Sequence, residues 1–383
     1  VASASIVKYV PGERSVARAI DLCHGLDGLE RDHRVLIKPN VVAGFSPDRV
    51  PYGITTTPEV VEELITLLLE HRCDDIVIGE GPTMPPEFGI PSDWAFEWSG
   101  IKELAEKLGV ELIDFNREEY IQTELGGERF WIAKRAIEAD FLIDVPVLKT
   151  HSTTFVSLGL KNLKGCLNPH SKKKFHRKDL NGFIAQLGAK LNPDLVVIDG
   201  IYGLERGPMG RNHRRMDLIV ASKDLLSADV VGSSIMGFDP SSIPHIREFA
   251  GILGRGADLG EVEIMGEKLD DVRRAFEWEK PWYGLVEKAG IEGITLQEPG
   301  TTVCTGCGLS VWLGMQRFFQ ENRGARFDAE FCIGWGPRAV KDDALLFGAC
   351  AIATNRDLKS AKRLRGCPPT VEGTYSFIRD ALL

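Results

Sequence analysis

Through the first 300 residues, short apolar runs that stop at polar or glycine residues alternate with stretches of helical period. RVLIKPN (34–40), DIVIGE (75–80), DFLIDVPVL (140–148) and DLVVIDG (194–200) are runs of the first kind. Strands buried on both faces of a parallel sheet read this way, because neither face needs polar residues. Helical patterns fall between them. TPEVVEELITLLLEH offers Thr57 as N-cap with Pro58 at the first helical position, and SGIKELAEKLG closes on Gly109 as a C-cap. Strands alternating with helices predict an α/β fold on a mostly parallel sheet.

Ligands of such sheets bind outside the carboxyl ends of the strands. Here those ends carry Lys38-Pro39-Asn40, Gly79-Glu80-Gly81, Lys149-Thr150-His151 and Asp199-Gly200. Each could be an ordinary turn; together they predict a binding cleft. The segment from Val145 to Lys178 adds eight Lys or Arg, three His and no acid, in a chain of net charge −9. Lys172, Lys173 and Lys174 read equally well as a solvated loop. Lys149, His151, Lys161, Asn162 and Lys164 sit among apolar residues. Two ammonium groups about 4 Å apart near a surface repel by about 4 kcal/mol, so converging lysines call for an anionic partner. A carboxylate-bearing substrate, a phosphate or a protein acid would serve. Lys38 and Asn40 are expected in the same cleft, with Thr57 and its neighbours Thr55 and Thr56 as donors at a helix N-terminus. His151, His170 or His176 is the expected proton donor, since imidazole titrates near neutrality.

Around residues 284–304 Gly and Pro begin to punctuate, and five of the eight cysteines follow residue 300. This divides the chain into an α/β domain over 1–295 and a smaller C-terminal α/β cluster-binding domain over 296–383. Cys304 and Cys307 form a C-x-x-C pair, followed by a helical stretch with Trp312, Met315 and Phe319 on a core face. Cys332, Cys350 and Cys367 come singly. A redox disulfide would need a thioredoxin-like context that is missing, and structural zinc usually takes two close pairs. A cuboidal iron–sulfur cluster accepts four thiolates from scattered loops, and fits better. Pro368-Pro369 would hold a rigid turn beside it, with Gly348 and Gly366 where the backbone must pass closely. The basic run Arg356, Lys359, Lys362, Arg363 and Arg365 would raise its potential, or else form a solvated or docking face. Cys332 is the spare thiol.

The segments CTGC, GAC and GCPP resemble the proximal-cluster motif of nickel–iron hydrogenase small subunits. The likeness spans about the last 80 residues and implies Cys304, Cys307, Cys350 and Cys367 as 4Fe–4S ligands. A wider resemblance rests on LIKPNVV, TTTPEVVEEL, VIGEGP, DVPVLKTH, LGLKNLKG and SKDLLSADVVGSSIMGFDP. In content and order these are similar to the domain of unknown function 362 family, from about residue 33 to 250. Members are often described as iron–sulfur binding, and many carry an appended ferredoxin-type domain that this chain lacks. The resemblance implies fold and site and leaves the reaction open.

No P-loop, H-E-x-x-H, EF-hand loop or nucleophile elbow is present, and Pro337 interrupts the nearest dinucleotide fingerprint, GWGPRA. The acidic balance argues against nucleic-acid binding. The opening VASASIVKYVPGERSV has no signal-peptide core, and the apolar runs are too short to span a bilayer. The cytoplasm is the expected location, with no membrane partner; a homo-oligomer is left open. The leading expectation is a 4Fe–4S oxidoreductase acting on an anionic small molecule, with an electron donor such as a ferredoxin. An electron-transfer or cofactor-handling subunit without its own chemistry, and a zinc-stabilised transferase using a phosphate-bearing substrate, are the alternatives.

Overall fold

The computed structural model describes residues 2–45, 49–83, 92–210, 212–279 and 284–383. The chain forms two compact units. The larger comprises Val1–Pro82, Pro91–Lys172 and Asn181–Trp278; the smaller is built chiefly from Lys173–Leu180 and Glu279–Leu383.

In the larger unit the chain runs through β1 (Ala2–Lys8), β2 (Val35–Pro39), β3 (Ile76–Glu80) and β4 (Glu111–Asp114). A two-stranded hairpin follows, β5 (Tyr120–Leu125) with β6 (Glu128–Ala133). Then come β7 (Phe141–Val145), β8 (Val147–His151), β9 (Phe155–Ser157), β10 (Leu195–Glu205), β11 (Asn212–Ser222) and β12 (Val262–Gly266). All but the hairpin form one ten-stranded sheet, ordered β12-β1-β11-β10-β7-β2-β3-β4, with β8 on β10 and β9 on β8. From β10 to β4 every neighbour is parallel, as the unbroken apolar runs predict. β11 pairs antiparallel with both β10 and β1. Every residue of β2, β3 and β7 is buried. The helices behave as read: Pro58–Glu70 begins at a proline, and Ile101–Leu108 ends at Gly109 with φ 67°.

The run 140–148 is two strands, not one. Pro146 has no N–H to give a ladder, so the chain leaves β2 after Val145 and re-pairs as β8 with β10 and β9. This break matters to the site. From β2 the chain moves outward through β3 to β4, then returns to the opposite side of β2 as β7 and β10. The order reverses between β2 and β7, with Lys38 opposite Asp144. Such a reversal opens a crevice at the strand ends.

The smaller unit holds four parallel strands in sequence order, β13 (Glu292–Leu296), β14 (Arg326–Ile333), β15 (Leu345–Phe347) and β16 (Lys362–Leu364). Alternation sorts their side chains onto two faces. Phe331, Leu345 and Phe347 pack with Val311, Met315, Phe318 and Phe319 of helix Thr305–Glu321 and with Ile378 of helix Val371–Leu382. Cys332 and Leu346 pack with Ala344, Ala351 and Ala361 in a separate cluster. The compact unit therefore begins at Glu279, upstream of residue 296, and takes in Lys173–Leu180, which the sequence reading assigns to the larger domain. Nor is the 172–174 lysine run a loop, for it lies in helix Pro169–Arg177, again opened by proline. No helix among the described residues is long and apolar enough to cross a membrane.

Candidate functional sites

Where the strand order reverses between β2 and β7, the strand ends carry buried polar groups tied to one another. Lys38 Nζ donates to Glu80 Oε2 at 2.5 Å and to the Pro39 carbonyl at 3.0 Å. Glu80 also accepts from the Gly81 N–H at 2.6 Å. Lys149 Nζ donates to Asn40 Oδ1 (2.5 Å) and to the Ile54 carbonyl (2.6 Å). The Asn40 amide then donates to Asn162 Oδ1 at 2.8 Å, and the Asn162 amide to Asp144 Oδ1 at 2.8 Å. The chain Lys149–Asn40–Asn162–Asp144 runs in one donor direction, which fixes both amide orientations. Lys38, Asn40, Lys149 and Asn162 are thus brought together, each with partners inside the protein.

The helix N-terminus at Thr57 is also engaged. Its backbone N–H donates to Asp199 Oδ2 at 2.7 Å, while the Thr56 hydroxyl accepts from Asn40 N–H and donates to the Val145 carbonyl. The donors expected to meet a bound anion here meet a protein carboxylate, because Asp199 is carried beneath them by β10. Burial, opposed by the N–H groups of Thr57 and Ile201, pushes that carboxyl up to about 6.

Lys161 differs from its neighbours. Its ammonium has no hydrogen-bond or ion-pair partner among the described residues. Burial, then the charge of Lys38, push it down to about 8. His245 feels the Lys161 charge, and among the described residues neither of its ring nitrogens has a hydrogen-bond partner. Burial first, then that charge, hold His245 down to about 3, so it is neutral at physiological pH. Two carboxyls belong to the same network of buried groups. Asp229 accepts from the Gly159 and Leu160 N–H groups and is pushed up to about 7 by burial; Asp144, whose Oδ2 lacks a partner among the described residues, is raised well above its usual range by burial. Lys164 is buried on the next turn. This arrangement can take up one negative charge at Lys161 while the surrounding polar groups stay fixed.

The unbalanced lysine has a pH signature. Between about pH 8, its folded value, and 10.5, its unfolded value, the unfolded chain binds more protons, so this group's contribution raises stability as pH rises. Below pH 8 the cost applies in full, and because Lys161 is only half-buried and partly screened by water it is about 1–2 kcal/mol. Lys161→Met is therefore expected to be more stable than the native chain at pH 7, with the gap closing towards pH 10.5. Urea unfolding of both proteins across that range checks it, and a gap independent of pH would contradict it.

The histidines are dispersed. His151 is buried, and the Thr153 N–H donates to its Nδ1 at 3.2 Å, which puts the proton of the neutral ring on Nε2. His170 is exposed, edge-on to Trp131. His176 belongs to the smaller unit, where its Nδ1 donates to the Thr301 carbonyl at 2.8 Å.

In the smaller unit Cys304, Cys307, Cys350 and Cys367 line one cavity enclosing about 380 Å³ of atom-free space, part of it open to solvent. Cys304 precedes helix Thr305–Glu321 and Cys307 lies in its first turn; Cys350 is in the first turn of helix Gly348–Thr354, and Cys367 follows β16. Gly348 has φ 84°, and a Cβ there would lie 3.5 Å from Cys307 Sγ and 3.4 Å from Pro369. Cys332 faces the separate apolar cluster and does not line the cavity. The Cys307 thiol is held far above its usual range, first by the hydrogen bond with Cys304, then by burial and by the charges of Cys304, Cys350 and Cys367. Among the described residues, no three His, Cys, Asp or Glu side chains converge as ligands of a single metal ion do.

The basic residues at this cavity are not those expected. Lys173, His176 and Arg177 line it, and none of Arg356, Lys359, Lys362, Arg363 and Arg365 does. Arg363 instead donates to the Leu358 and Ala361 carbonyls. Sequence reasoning also passed over Asp144, Asp229 and His245. Asp144 and Asp229 were marked only by an acid within an apolar run, and His245 by nothing local.

The profile of a domain of unknown function (DUF362) matches residues 35–234, just over half of the chain. The chain belongs to the DUF362 family. The DUF362 span holds the β2–β7 crevice as far as Asp229, while His245 and all five C-terminal cysteines lie beyond it. A thylakoid-associated protein of Synechocystis sp. is 33% identical over 235 residues, which is 59% of this chain and 70% of that protein. Two solved structures are partly similar. Lactate racemase apoprotein from Thermoanaerobacterium thermosaccharolyticum has 15% identity and a TM-score of 0.40, over 61% of this chain and 57% of that one. A structural-genomics protein from Thermotoga maritima has 17% identity and a TM-score of 0.33, over 57% and 58%. This chain spans less than three-fifths of either structure.

Proposed function

We propose that this DUF362 protein is a cytoplasmic iron–sulfur oxidoreductase, holding a 4Fe–4S cluster on Cys304, Cys307, Cys350 and Cys367 and an anionic small molecule at the β2–β7 crevice. The observation that carries this reading is that thiols from separate segments line one cavity, while Cys332 is turned away. Thiols spaced around a cavity suit a multi-iron core in which each binds its own iron; zinc draws its ligands onto one centre. Bound there, such a cluster supplies one-electron transfer, with a ferredoxin-type protein as donor. In the crevice Lys161 supplies the charge that meets the anion, and the Asn40–Asn162–Asp144 chain holds its floor in place. His151, with its proton on Nε2, is the residue we assign to proton delivery.

The test begins with protein purified without oxygen. Iron, sulfide and zinc are counted per chain, and EPR spectra are taken before and after dithionite. About four iron and four sulfide, with a signal appearing on reduction, is the expected result. Zinc alone, or no metal, would overturn it. A relay subunit without its own substrate is the second reading, favoured by the internal partners of Lys38 and Lys149. It predicts a stably co-purifying protein partner and no retained small molecule.

A further inference from the structure

We infer that Lys173 and Arg177 set the reduction potential of the group held by the four cysteines, by donating to two of its ligand sulfurs. This rests on the cluster reading above. Both residues belong to helix Pro169–Arg177, more than 120 residues before Cys304, yet fold into the smaller unit and line the cavity. Lys173 Nζ lies 3.9 Å from Cys367 Sγ, and Arg177 lines the same cavity wall as Cys350. The guanidinium also lies 5.9 Å from the Trp335 ring centroid, which limits how far it can swing away.

The physical consequence has a definite sign. A 4Fe–4S core that accepts one electron becomes more negative by one unit. A fixed cation and a charge-assisted hydrogen bond to sulfur stabilise that form more than the oxidised one, so the potential rises. Neither residue touches substrate; they are positioning residues acting through the sulfurs. The basic run before Cys367 cannot substitute for them, since none of it lines the cavity.

The experiment uses the full chain, purified without oxygen, as native protein and as Arg177→Gln, Arg177→Lys and Lys173→Met. Iron and sulfide are counted first. Each sample is then titrated with dithionite, which donates one electron per cluster, and the midpoint is read by EPR. Arg177→Gln is expected to lower the equilibrium constant for reduction about tenfold, a shift of about 59 mV for one electron. Lys173→Met should move the midpoint the same way. Arg177→Lys should recover most of the native value.

Unchanged midpoints in the Gln and Met variants at full iron content would overturn the inference and leave the cluster reading intact. If Arg177→Gln loses its iron, Lys173→Met and Arg177→Lys decide the matter: native midpoints in both overturn it, and graded downward shifts support it. A native chain without iron and sulfide overturns the cluster reading and this inference together.

Discussion

Lys38→Met is expected to destabilise the larger unit by about 3–5 kcal/mol, the usual cost of removing one partner from a buried ion pair. Lys38 is fully buried and Glu80 is 3% exposed, so the carboxylate left behind would have no access to water. Its remaining donors are the Gly81 N–H at 2.6 Å and the Val41 N–H at 3.4 Å, and neither carries a charge. The backbone of Gly165 presses on the pair: a Cβ there would lie 1.9 Å from Glu80 Oε1 and 2.8 Å from Lys38 Nζ. Neither side chain has room to move apart. The double variant Lys38→Met/Glu80→Leu removes both charges and should recover most of the loss, because a buried pair gains little over well-packed apolar groups. Equilibrium urea unfolding of the three proteins measures this. A single Lys38→Met variant as stable as the native chain would mean that the pair is not closed in solution.

What the sequence made legible follows from which positions keep a local signature. β2, β3 and β10 were readable because strands buried on both faces in a parallel sheet give unbroken apolar runs with polar ends. Pro58 and Gly109 marked helix ends because their backbone preferences do not depend on tertiary context. The four cavity cysteines stood out by residue type alone. Their neighbourhood did not, because Lys173 and Arg177 reach it through the fold, and locally they belong to a basic run indistinguishable from a solvated surface. The opposite error befell Arg356–Arg365, close in sequence to Cys367 and absent from the cavity wall. Asp229 was hidden for a different reason. Helix Leu225–Ile235 is buried along its whole length, so it has no polar face, and period carries no information about which side meets the crevice. Lys38 and Lys149 read as groups awaiting an anion because sequence cannot show that Glu80 and Asn40 already lie against them.

Alanine at Cys304, Cys307, Cys350 or Cys367 is expected to lower cluster content from about four iron per chain to less than one, and alanine at Cys332 to leave it unchanged. The contrast comes from the pleat of β14. Phe331 faces the large aromatic core, so Cys332 must face the opposite side, where Ala344, Leu346, Ala351 and Ala361 pack against it. Cys332 packs in that separate cluster and does not line the cavity, so its thiol is out of reach of the group held there. Its loss should cost some packing in that small cluster and no iron. Of the four cavity cysteines, Cys307 is the most enclosed and Cys367 is exposed, so the Cys367 variant should bleach fastest in air if any partial cluster survives. Iron and sulfide analysis of the five variants, prepared side by side without oxygen, tests the assignment. Iron loss in Cys332→Ala equal to that of the others would move the ligand set to the opposite face of the sheet. Full iron in any one of the four cavity variants would show that its thiol is not required to hold the group.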